Sequence, residues 1–233
     1  MKKTVVILLC AGKGTRLKAP TSKPFVMIKK KPLVIRTVQN LQKLFPGAAF
    51  FLASNPPEIS VVKKMLEQYG IKRVQVVAGG LHRADSLFNI LARIKDELFE
   101  TIIVHDGARP FVDKSLVTRL LTGIRTADAD CCIPVLPVRY TIKKVDLPRL
   151  KTLERNTLVE VQTPQVFKAA SLIKAFTILR RRKSDLSQIY DDAQLIEYTH
   201  GSIATVEGSE QNLKITYPID LIIAEQILRT WRP

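Results

Sequence analysis

From Thr4 to Cys10 the chain is apolar without alternation, with Val5, Val6, Ile7, Leu8 and Leu9 in succession. Such a run predicts a strand buried on both faces of a parallel sheet. The pattern then changes: Leu33, Val34, Ile35, Val38, Leu41 and Leu44 recur at helical spacing until Pro46-Gly47 ends the helix. A short strand over Ala48–Ala53 follows, then a helix marked by Ile59, Val62, Met65, Leu66 and Tyr69 and closed by Gly70. Val74–Val77 reads as a third strand, Leu87, Ile90, Leu91 and Ile94 as one face of a helix, and Thr101–Val104 as the next strand. Alternation of this kind predicts an α/β, Rossmann-like fold: a mostly parallel sheet built from right-handed βαβ units, with helices on both faces. Ligands in such sheets sit beyond the carboxyl ends of the strands.

The second half breaks the rhythm. A helix near Leu116–Thr126 leads to a strand over Cys131–Val138, but Tyr140–Pro148 and Leu150–Val161 alternate loosely, are rich in charge and carry no helical stripe. They predict a two-stranded β-arm over roughly 138–161 that leaves the single domain spanning 1–233. A hairpin is marginal alone and needs something to pack on, which predicts a homodimer formed through the arm. The chain returns through a helix around Leu172–Leu179 and a helix opened by Asp191 and Asp192, acids being favourable at an N-terminus. Ile203–Val206 and Leu213–Thr216 read as late strands, and the amphipathic run Leu221–Leu228 as a closing helix.

Composition narrows the partners. Lys+Arg number 37 against 21 Asp+Glu, a net charge of +16 that favours anionic ligands. The basic residues are dispersed, the densest runs being Lys29–Lys31 and Arg180–Lys183. With 6% aromatic residues and no RNA-binding signature, a nucleic-acid module is not expected. Cys10, Cys131 and Cys132 have neither disulfide nor zinc spacing and read as buried reduced thiols, which points to the cytoplasm. The MKK start resembles a signal peptide, but its short apolar run meets A-G-K-G-T-R instead of a cleavage site. No apolar stretch approaches the ~20 residues of a membrane span.

The candidate chemistry begins where the first strand ends, in LLCAGKGTRLKAPTSKPF (Leu8–Phe25). Gly12 and Gly14 let backbone N–H groups face an anion, and Lys13, Arg16, Lys18 and Lys23 add positive charge, so the corner reads as a triphosphate cradle. It is not the dinucleotide fingerprint, which fails at Leu17 and at Ala53-Ser54, where an acid is required. It is not a P-loop either, since G-x-x-x-x-G-K-[ST] occurs nowhere. Further on, Gly79-Gly80 precede a helix whose first turn holds Arg83 and Ser86, beside free N–H groups suited to a polar or anionic ligand. His82, with no Ser or Cys arrangement to accompany it, reads as an exposed loop histidine. Thr101–Val104 runs into His105-Asp106-Gly107-Ala108-Arg109-Pro110. There Asp106 can hold magnesium or a ribose hydroxyl, or pair with His105 under the sheet edge; these residues leave both readings open. Arg109 is suited to clasp a phosphate.

Eight strings now occur in one order: A-G-K-G-T-R, S-K-P, G-G-x-x-R-x-x-S, H-D-G-A-R-P, P-V-x-x-T-x-K, the Arg155 segment, T-P-Q-x-F, and V-E-G followed by N-x-K-x-T-x-P-x-D. In these the chain resembles the 2-C-methyl-D-erythritol 4-phosphate cytidylyltransferases of the non-mevalonate isoprenoid pathway. The resemblance implies transfer of a cytidylyl group from CTP to 2-C-methyl-D-erythritol 4-phosphate with release of pyrophosphate. It implies that Arg16 and Lys23 stabilise the transition state, and that Ala11, Gly12, Gly14, Gly80, Arg83, Ser86 and Asp106 surround the nucleotide. Magnesium is expected mostly on the triphosphate, with Asp106 nearby. Arg109, Thr141, Thr163 and Lys214 are expected at the polyol phosphate, with Arg155 reaching in from the partner's arm. The chain departs from the family pattern at Tyr140, where aspartate is common, and at Cys10, where alanine is usual. A related cytidylyltransferase using ribitol 5-phosphate shares the cradle, but H-D-G-A-R-P favours the methylerythritol acceptor.

Overall fold

In the computed structural model, which describes residues 3–12, 14–94, 99–182 and 185–231, eight strands join in one sheet. Lys13 of the glycine corner and Lys183 of the basic run lie outside the described residues. The first half comprises β1 (Thr4–Leu9), β2 (Met27–Ile28), β3 (Lys31–Pro32), α1 (Leu33–Leu44), β4 (Ala49–Ser54), α2 (Ile59–Gln68), β5 (Val74–Ala78), α3 (Arg83–Ile94), β6 (Thr101–Asp106) and α4 (Lys114–Thr126). The second half adds β7 (Cys131–Pro137), β8 (Lys143–Asp146), β9 (Arg149–Thr152), β10 (Val159–Val161), β11 (Gln165–Lys168), α5 (Ala169–Arg181), α6 (Gln194–Glu197), β12 (Ile203–Glu207) and α7 (Pro218–Thr230).

β1 is central, pairing in parallel with β4 on one side and β6 on the other, and β4 pairs in parallel with β5. Its continuous apolar run follows from that position. Val5 and Ile7 point to a layer filled by α3, α5 and α6, while Val6 and Leu8 point to one filled by α1, α2 and α4. The right-hand half is less regular: β11 lies antiparallel between β6 and β7, and β12 runs parallel along the far side of β7. α4 starts at Asp113, whose carboxylate accepts the Leu116 N–H at 2.7 Å and so satisfies one free donor of the first turn.

The structure corrects the sequence reading in three places. β11 was not anticipated, because four residues beside Pro164 are too few to show a period. Leu213–Thr216 forms no strand; Ile215 instead donates to the Ala108 carbonyl at 2.9 Å and buries its side chain with Phe111 and Leu17. The expected arm is present but shorter, a β8–β9 hairpin, while β10 turns back to pair with the end of β7. Every residue of β8, β9 and β10 is exposed, and the arm leaves Leu147 83% exposed with Val145 and Leu150 also bare.

Candidate active site

The carboxyl ends of β1, β5 and β6 open onto one pocket of about 400 Å³. Main-chain bonds join its rims: Cys10 N–H donates to Ala53 O, Gly79 N–H to Ser54 O and Gly107 N–H to Leu9 O. Close approach explains two glycines. A Cβ on Gly107 would lie 2.1 Å from the Cys10 sulfur, and one on Gly80 would lie 2.2 Å from the Asp85 Cβ. Gly14 has φ +65 and presses on the stem of Lys23, where a Cβ would lie 2.6 Å away. The glycine corner thereby holds the lysine against itself.

The electrostatic centre is Asp106, the only acid among the lining residues described. Arg83 engages its Oδ1, while Lys214 Nζ at 2.9 Å and Arg109 Nε at 3.3 Å share its Oδ2. Burial opposes ionisation of Asp106, but Arg83, Lys214 and Arg109 outweigh it and hold the carboxyl well below the usual range. Burial also lowers Lys23, reinforced by the neighbouring Lys214 charge, to about 8. The pocket is thus one carboxylate ringed by more cations than it can neutralise, which is a receptor for anions.

Behind this surface lies a buried relay. The Asp106 N–H donates to Thr163 Oγ at 3.0 Å, and Thr163 Oγ lies 3.0 Å from His105 Nδ1. His105 Nε2 lies 2.9 Å from the Arg109 carbonyl, which accepts, so the hydroxyl proton of Thr163 turns toward Nδ1. Burial lowers His105 to about 4 and keeps the ring neutral. His105 therefore does not pair with the Asp106 side chain: its ring nitrogens meet Thr163 and the Arg109 carbonyl, while the Asp106 carboxylate faces the pocket.

Arg16, Lys23, Ala11, Gly12, Gly14, Gly80, Arg83, Ser86, Asp106 and Lys214 all line the pocket, as does the exposed His82. Ser86 Oγ accepts from Gly80 N–H at 3.0 Å, tying the glycine turn to α3. Arg109 and Thr163 are buried just behind the lining, with Arg109 donating to Asn212 O at 2.8 Å and Asn212 Nδ2 donating to Thr163 O at 2.7 Å. Thr141 and Arg155 do not join them; both are exposed, Thr141 at the root of the arm and Arg155 in the turn after β9.

Three residues escaped the sequence reading. Asp192 is not a helix-starting acid: it is 1% exposed and grips Arg83 from behind, with Arg83 Nη2 donating at 2.5 Å and Nε at 3.2 Å. Two adjacent aspartates before a four-residue helix, where one suffices to start it, were the available signal. Asn212 latches the loop as described. The Tyr217 ring lies under the Arg16 guanidinium, 5.8 Å from its centroid, a cation–π contact at the pocket mouth.

A glycine corner and an aspartate at the ends of adjacent parallel strands, ringed by cations above a buried brace, define an enzyme of the nucleotidyltransferase class. Comparison with known proteins sharpens this. A family model described as IspD, 2-C-methyl-D-erythritol 4-phosphate cytidylyltransferase, matches residues 4–230. The chain belongs to the 2-C-methyl-D-erythritol 4-phosphate cytidylyltransferase family. It is 36% identical to the 2-C-methyl-D-erythritol 4-phosphate cytidylyltransferase of Bacillus cytotoxicus, over 97% of this chain and 98% of that one. Among solved structures, the Thermus thermophilus cytidylyltransferase superposes with a TM-score of 0.74 at 29% identity, covering 98% of this chain and 100% of that chain. The Francisella tularensis protein gives 0.80 at 26%, covering 96% and 99%. The bifunctional IspDF of Campylobacter jejuni gives 0.77 at 30% over 94% of this chain, which spans only 53% of that longer protein. The chain accordingly forms 4-diphosphocytidyl-2-C-methyl-D-erythritol and pyrophosphate from CTP and 2-C-methyl-D-erythritol 4-phosphate, a step in isoprenoid precursor biosynthesis.

Proposed function

We propose that residues 1–233 act as one catalytic unit in which the Asp106 cluster positions both substrates and Arg16 and Lys23 lower the barrier. The observation that supports this best is the convergence of Arg16, Lys23, Arg83 and Lys214 on a pocket lined by a single carboxylate. A phosphate oxygen of the acceptor attacks the α-phosphorus of CTP; the new P–O bond forms as the bond to the β-phosphate oxygen breaks, and pyrophosphate leaves with the electron pair. Charge accumulates on the α-phosphate oxygens, so alignment and fixed cations carry the rate. The glycine corner with Arg16 and Lys23 receives the triphosphate, the Gly80–Ser86 turn with Arg83 the nucleoside, and Lys214 the acceptor phosphate, while Arg109 holds Asp106 and the Asn212 carbonyl from behind. Thr163 acts from behind the lining, fixing the Asp106 main chain.

Magnesium suits this donor set. Among the described residues no three His, Cys, Asp or Glu gather into a cage, and Mg²⁺ is commonly held by one or two carboxylates plus substrate phosphates. The triphosphate would supply most of its ligands, because Arg83, Arg109 and Lys214 already engage Asp106, the carboxylate nearest to it. Bound there, the ion would neutralise triphosphate charge.

Lys23 gives this reading a pH signature. Its ammonium form is the useful one and is lost as pH rises through about 8 in the free protein. Hence kcat/KM for CTP is expected to fall on the alkaline side from about 8, while CTP binding near that pH takes up a proton. A pH series of kcat/KM, with calorimetry in buffers of different ionisation enthalpy, tests both. A profile flat to about pH 9.5 with no proton uptake would remove the lysine from the mechanism.

The bare arm supports a homodimer in which Thr141 and Arg155 complete the partner's acceptor site, because neither joins the pocket of its own chain. Mixing Arg16→Ala protein with Arg155→Ala protein is then expected to regenerate up to about a quarter of wild-type activity, since random pairing leaves one intact site in half the dimers. No recovery, after subunit exchange is verified by mass-tagged chains, means that each chain builds its own site. Three free, buried cysteines favour a cytoplasmic enzyme, and no helix among the described residues is long and apolar enough to cross a membrane.

A further inference from the structure

A second cleft, of about 130 Å³, lies on the other side of the Asp106–Arg109 loop, between α1 and α7. Lys31, Arg36 and Lys43 line it, and no acidic side chain among the described residues does. Lys31 Nζ donates to Gln39 Oε1 at 2.7 Å and Arg36 donates to the Ile28 carbonyl, and among the described residues neither is paired with a carboxylate.

Two lining side chains, one from α1 and one at the end of α7, carry buried polar atoms without a partner among the described residues: Asn40 Oδ1, an acceptor, and Trp231 Nε1, a donor. The amide orientation of Asn40 is fixed, because its Nδ2 donates to both Pro110 O and Val112 O, which leaves the oxygen as the unbonded end. Asn40 is only 5% exposed, and a buried polar atom without a partner costs stability. Both belong to residues that line the cleft, and an ion would reach them by displacing the Trp231 ring, which packs edge-on to Phe111 at 5.6 Å.

We propose that this cleft is a second anion site that takes a small tetrahedral oxyanion of the phosphate class. The volume suits one such ion, being that of about four waters. The two orphan atoms select its chemistry. Near neutral pH inorganic phosphate keeps at least one O–H, so it can donate to Asn40 Oδ1 while its other oxygens accept from Trp231 Nε1 and from the three cations. Sulfate offers acceptors alone and leaves Asn40 unpaired. The site is linked to the catalytic loop through one helix, since α1 also braces that loop by Asn40 to Pro110 and by Thr37 Oγ, which donates to Gly107 O at 2.9 Å. Occupancy of the cleft therefore shares a support with Asp106 and Arg109.

Trp231 is the sole tryptophan of the chain, so its emission reports this site directly. Sodium phosphate and sodium sulfate are titrated at fixed ionic strength with saturating CTP present, followed by tryptophan emission and by calorimetry. Phosphate is expected to give a saturable change that persists with CTP, with sulfate at least about tenfold weaker. In Lys31→Gln/Lys43→Gln protein of unchanged thermal midpoint the phosphate affinity drops at least about tenfold, and the exposed Lys43→Gln alone gives a smaller drop in the same direction. Absence of saturable signal and heat overturns the proposal. So does equal affinity for sulfate, indifference to the substitutions, or abolition by CTP, which would assign the ion to the catalytic pocket.

Discussion

Lys23→Ala is expected to lower kcat by about a hundredfold or more with both substrates saturating, because it removes a fixed donor whose interaction strengthens as charge builds on the reacting phosphate. Its surroundings support the proposed role. Lys23 lies half-buried between the Gly14 turn and Pro24, so its stem is confined and little ordering remains to be done when the anion arrives. Its ammonium also lies in the field of Arg16 and Lys214, a repulsion that a bound phosphate relieves. Loss of a solvated surface charge would raise KM at most. Steady-state kcat for the alanine variant, with CTP and acceptor each at several times KM, decides the matter, and a value within about threefold of wild type would place the lysine among bystanders.

Asp106→Asn is expected to act on stability as much as on rate. The side chain keeps its shape but withdraws the negative charge that Arg83, Arg109 and Lys214 share. Removing one partner of a buried pair costs about 3 kcal/mol or somewhat more. Arg83 keeps Asp192 and Lys214 is partly exposed, which puts the loss at the lower end, a fall in Tm of roughly 6–12 °C for a chain of this size. Ligand should reverse part of it, since a bound triphosphate returns negative charge to the same cations. Scanning calorimetry of both proteins with and without CTP measures the two effects. An unchanged Tm without CTP would show that the three cations do not depend on Asp106.

Much of this was readable from the chain because the informative residues are local. β1 announces both-face burial through five consecutive apolar residues, and the glycine corner follows it immediately. Elements defined by distant partners were not readable. Leu213 and Ile215 do alternate as a strand would, yet the alternation serves packing against Phe111 and delivery of Lys214, and no strand among the described residues pairs with it. Asp192 looks like any acid ahead of a helix because its partner, Arg83, is 109 positions away. Thr163 belongs to a recognisable string, but only the fold shows that its hydroxyl faces His105 and the Asp106 main chain instead of the pocket. Tyr217 occupies a position the family string leaves open, so its contact with Arg16 had no counterpart in the motif.

The latch at Asn212 has a consequence for how the enzyme comes into being on the ribosome. The corner at Gly12, the turn at Gly80 and the strand end at Asp106 are all synthesised well before Asn212 and Lys214, and they can assemble early if N-terminal units fold first. Arg109 meanwhile waits for the Asn212 carbonyl, and Asp106 for the Lys214 ammonium, both supplied about a hundred residues later. A nascent chain can thus shape its nucleotide side well before its acceptor side exists, and competence for turnover waits until Asn212 and Lys214 have been made.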